Sequence, residues 1–90
     1  MPTDGFIDDT IKPQLIDALG RQAANSILTQ ATLTYVSTDG TEQERYEAFL
    51  QSICADERVT KTMDEEKIEE HLKEWRLRYT VHKAQLAIQQ

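Results

Sequence analysis

Ninety residues with 16 acidic and 10 basic side chains, a net charge of −6, make one small domain with a modest core and an acidic surface. Chains this short are often marginal unless they dimerise or are stapled, and a single cysteine excludes an internal disulfide. With no Cys/His cluster for structural zinc, and no basic footprint of the kind non-specific nucleic-acid binding needs, composition points to a soluble protein without cofactor or metal.

No stretch approaches the ~18 consecutive apolar residues of a membrane span, so no membrane contact is expected. Residues 1–10 contain Asp4, Asp8 and Asp9 and no apolar run, which is unlike a secretory signal. They read as a flexible acidic arm, and a cytoplasmic setting is expected. The charge is unevenly placed. Residues 1–60 carry a net −6, residues 61–72 carry −3, and residues 73–90 carry +3.

Thr10 or Lys12 opens the first helix, with Pro13 in its first turn, where a missing N–H costs nothing. Leu15, Ile16 and Leu19 begin an apolar face that Ala23, Ala24, Ile27, Leu28, Ala31 and Tyr35 continue at helical spacing, predicting a helix over 12–36. Gly20 is the point where it bends or breaks; inside a continuous helix a glycine costs about 1 kcal/mol relative to alanine. The stretch Thr32 to Val36 is β-branched and aromatic enough for a strand. No second strand is present to pair with it, and an isolated strand is not stable, so helix is the better assignment.

Ser37-Thr38-Asp39-Gly40 is a turn, and Thr41 with Glu44 forms a capping box. Behind it Tyr46, Phe49, Leu50, Ile53 and Cys54 recur at helical spacing, giving an amphipathic helix over 42–56. After a short connector, Thr62 with Glu65 reads as a second capping box for a final helix over 63–88. The whole is an all-α domain over residues 1–90, a small bundle of three main helices.

From Glu65 onwards the chain has no glycine or proline, and its apolar residues form two stripes. Ile68, Leu72, Trp75, Tyr79, His82 and Leu86 alternate steps of four and three, a heptad seam. Leu77, Val81, Ala84 and Ile88 repeat the alternation, and at about 100° per residue they lie roughly half a turn round the helix from the seam. The acid-rich start and base-rich end of this helix complement its macrodipole. Glu69–Lys73 and Glu74–Arg78 add i,i+4 pairs in the favoured orientation.

Groups able to do chemistry are sparse. His71 and His82 lack the Glu-x-x-His or His-x-x-x-His spacing of a metal site. Cys54 sits on an apolar face beside Asp56 and Glu57, where a small hydrophobe is expected and not a nucleophile. The glutamates from Glu65 to Glu74 read as a solvated face, since no EF-hand-type loop accompanies them.

A helix in a small domain needs one apolar stripe, so the second suggests another surface. The expected function is that of an acidic helical adaptor or regulatory protein. It would bind a protein partner, or itself as a homodimer, through Trp75, Arg76, Leu77, Arg78, Tyr79, Val81, His82 and Ile88. The alternative is an acidic decoy that occupies a basic, nucleic-acid-binding groove of a partner. No catalytic residues are expected.

Overall fold

The structure, a computed structural model, describes residues 7–89. It is all-α. A π-helical turn at Ile7–Ile11 leads into α1 (Lys12–Leu19), followed by α2 (Arg21–Ser37), α3 (Glu42–Ala55), α4 (Glu57–Thr62) and α5 (Glu65–Gln89). No strand occurs among the described residues.

Residues 1–6 of the expected acidic arm lie outside the described residues. Ile7 and Ile11, however, are buried beside Leu15. The reason is spacing, since these three residues recur every four positions and extend the α1 stripe back by two turns. The helical path therefore begins before the expected start at Thr10 or Lys12.

Gly20 separates α1 from α2 with φ 90° and ψ 160°, an extended left-handed conformation that a side chain resists. The ladder is rejoined on both sides, because Gly20 N–H donates to the Ile16 carbonyl and Ala24 N–H donates to the Gly20 carbonyl.

The Thr32–Val36 stretch is helical. Its hydroxyls turn inward on the backbone: Thr32 donates to Leu28 O at 2.8 Å, Thr34 to Gln30 O at 3.2 Å and Ser37 to Leu33 O at 2.7 Å. Back-bonding of this kind lets β-branched threonine sit in a helix with its polar atom satisfied. Beyond the turn, Thr41 caps α3 by accepting from Glu44 N–H at 3.2 Å, as the capping box predicts.

The connector after α3 differs from expectation. Residues 57–62 form α4, capped by Asp56, whose carboxylate accepts from Arg58 N–H at 2.9 Å. Thr62 is the last residue of that helix and so does not cap the next one. Asp64 does, accepting from Lys67 N–H at 2.8 Å, and α5 begins at Glu65 instead of 63. Both sites offer a capping oxygen three residues before a donor, but the backbone at the earlier one is already helical as the last residue of α4.

One apolar cluster holds the helices together. Leu15 of α1, Ala24, Ile27, Leu28, Ala31 and Tyr35 of α2, and Tyr46, Phe49, Leu50 and Ile53 of α3 are buried in it. Val59, Met63, Trp75 and Tyr79 close it, with Ile16, Leu19, Ile68 and Leu72 packed on its edge. The most extensive helix–helix packing is between α2 and α3. Ala24 and Ala31 of α2 are both fully buried in the cluster.

Candidate functional site

The attachment of α5 divides that helix into an anchored part and a projecting part. Its anchors are large side chains. Tyr46 and Tyr79 stack with ring centroids 3.9 Å apart, and Tyr46 Oη donates to the Trp75 carbonyl at 3.2 Å. Trp75 Nε1 donates to Gln14 Oε1 at 3.0 Å, and His71 Nδ1 lies 3.0 Å from the same oxygen. An amide oxygen only accepts, so both rings point their N–H groups at it. Burial pushes the Tyr46 and Tyr79 phenols up from their ordinary value; each also faces negative charge, Tyr46 from Glu47 and Tyr79 from Glu42. Both phenols therefore stay neutral and act as packing groups.

Trp75 and Tyr79 are 2% and 4% exposed. Both were expected among the partner-binding residues, and here they serve the chain's own core. The seam is thus the face α5 turns inward, because its two aromatics stack with Tyr46 and His71 and fill the space over α3. Arg76, at the edge of the seam, forms a two-point ion pair with Glu47 at 2.6 and 3.0 Å. Arg78 pairs with Glu74 one turn earlier at 2.9 Å. These exposed pairs orient side chains but each adds only about 0–1 kcal/mol.

On the opposite side of α5 the second stripe is open. Leu77 is 66% exposed, Val81 48% and Ile88 84%, with Ala84 exposed between them. His82, a seam residue, is half-buried. A groove of about 410 Å³ runs along this flank, lined by Thr10, Leu77, Arg78, Val81, His82 and Gln85. From Lys83 to Ile88 every residue is exposed whichever way it points, and even Leu86, a seam residue, is uncovered. The last turns of α5 therefore extend past the body. At about 1.5 Å per residue a helix of this length spans ~37 Å, which accounts for the 41 Å long axis of the molecule.

Of the eight residues expected to bind a partner, Leu77, Arg78, Val81 and Ile88 share one exposed face. Arg76 and His82 stand at its margins, and Trp75 and Tyr79 lie behind it. Gln14 and Glu47, which fix the inner face, carry no signal in the sequence. Their partners lie 61 and 29 residues away, and no local pattern marks them.

The remaining reactive groups have structural settings. Cys54 is half-buried and free, and burial pushes its thiol up to about 11, the nearby Arg76 opposing that rise. Among the described residues no group of three or more His, Cys, Asp or Glu converges where it could hold a metal ion. No described helix is long and apolar enough to cross a membrane. No protein-family model matches the sequence, and neither a curated protein nor a solved structure matches it.

Proposed function

We propose that this chain is a small acidic helical adaptor or regulatory protein that acts by protein–protein binding through the projecting end of its C-terminal helix. One observation carries the reading. Leu77, Val81, Ala84 and Ile88 form an exposed apolar row on the side of α5 opposite its anchored face. Contiguous apolar surface of this kind marks interaction sites on soluble proteins. The body below supplies the mount, since Trp75 and Tyr79 at the root of the helix are buried in the core. Arg78 shares the row's face, and Arg76 and His82 give it a polar margin, the usual anatomy of an interface with an apolar centre. The reading is of a binding protein in a cytoplasmic setting, not of an enzyme.

The test is affinity capture from source cells with the tagged chain and with its Val81→Glu/Ile88→Lys variant. Both positions are exposed, so the variant should keep its helical circular dichroism and melting temperature. Proteins captured by the unmodified chain and lost with the variant support the reading. Identical capture by both overturns it.

A further inference from the structure

The exposed row has a heptad register of its own. Placing Val81 and Ile88 at a puts Leu77 and Ala84 at d. The row is also self-complementary when two helices run in opposite directions. Leu77 then meets Ile88 of a second copy, and Val81 meets its Ala84, so a residues face d residues and a larger side chain faces the smallest one.

Charge selects the direction. In a parallel pair Glu74, at the preceding a position, would face its own copy, and Arg78 at e would face Lys73 at g. A parallel pair would also bring together two bodies whose residues 1–72 carry 15 acidic against 6 basic side chains, −9 each. Antiparallel pairing removes all three conflicts. Arg78 lies beside Gln85 of the second copy, Thr80 beside Ala87, and the acidic bodies sit at opposite ends of the paired helices.

We infer that this face binds the same face of a second copy, with the two α5 helices antiparallel across a two-fold axis between residues 82 and 83. The inference rests on the reading above that the row is a binding surface, and it names the occupant. A two-fold contact of this kind is closed, using the same patch on both copies. Residues 77–88 span only about 16 Å of helix. The contact therefore falls at the small end of protein interfaces, below about 1,200 Å² in total, and the dimer forms at micromolar or higher concentration.

Sedimentation equilibrium from about 10 µM to about 1 mM, spanning weak-affinity conditions, should show the mass rise from 10.4 kDa towards twice that value. Val81→Glu/Ile88→Lys should hold it at 10.4 kDa throughout. Direction is read by disulfides on a Cys54→Ser background, with Leu77→Cys and Ile88→Cys made in separate chains and mixed under oxidising conditions. The mixed 77–88 disulfide should form in large excess over 77–77 and 88–88. Predominant 77–77 and 88–88 products overturn the antiparallel register. A mass of 10.4 kDa for the unmodified chain at the highest concentration overturns self-pairing. These measurements contain no foreign protein, so they fail or succeed independently of the capture experiment.

Discussion

Gln14 accepts hydrogen bonds from two aromatic rings of α5 through a single amide oxygen. Replacing it with alanine leaves the Trp75 and His71 N–H groups facing a partly buried space without that acceptor. A buried donor left unsatisfied costs about 1–3 kcal/mol, so Gln14→Ala should lower the unfolding free energy by about that amount in urea titrations. Tyr46→Phe removes only one hydroxyl and keeps the stack on Tyr79. Cys54 gives a pH-dependent readout. Its thiol rises from an ordinary 9.0 to about 11 on folding, so the protonated form is favoured natively. That stability is present below the ordinary value and is lost as pH rises through the native one. At pH 8 the native thiol should react with a disulfide reagent at least about 10-fold more slowly than in urea, even allowing for the greater intrinsic reactivity of a more basic thiolate. Equal rates would show Cys54 open to solvent. These residues differ in how far sequence reveals them. Tyr46, Phe49, Leu50 and Ile53 announce their burial by spacing alone, whereas the role of Gln14 depends on a fold that brings position 75 to position 14.

The elements carry sign-sensitive tests. Within a continuous helix, replacing Gly20 with alanine would stabilise the protein. In the observed break the glycine holds φ 90°, and although a Cβ there meets no atom within 4 Å, the backbone itself resists a side chain. Gly20→Ala should therefore destabilise by about 1–3 kcal/mol, and a raised melting temperature would mean that α1 and α2 fuse. The α4 cap is testable through acid. Arg58 hydrogen bonds hold the Asp56 carboxyl below its ordinary 3.8, so the cap contributes stability above that value and loses it as pH falls through the lower native one. Asp56→Asn should flatten that part of the acid unfolding curve. Periodicity and capping residues reveal α1, α2, α3 and most of α5, while the helical state of Thr32–Val36 follows from the lack of a second strand to pair with it. They miss α4, because six residues are too short to display a period, and the start of α5 moved with it.

At the scale of the whole molecule, stability and the proposed binding function occupy different regions. A ninety-residue domain has roughly 5–13 kcal/mol in hand, and Phe49, fully buried at the centre of the cluster, bears directly on it. Phe49→Ala should cost about 3–5 kcal/mol, a large share of that total, and should lower the melting temperature accordingly. The end of α5 should behave in the opposite way. Residues 84–88 are exposed on every side, and no side-chain hydrogen bond or ion pair with another helix is seen for them. The last firm anchor is Tyr79, with Lys83 reaching back over its ring at 5.6 Å. A chain ending at Lys83 should keep the body's unfolding free energy within about 0.5 kcal/mol, as surface changes usually do, and should lose self-association because Ala84 and Ile88 are gone. Unfolding measured on dilute samples, below the concentration at which the chain pairs, and sedimentation on concentrated ones separate the two effects, because pairing itself stabilises the folded chain by mass action. A melting temperature that falls as far as it does for Phe49→Ala would place the end of α5 within the folding unit, and the apolar row would then have a stabilising role in addition to a binding one.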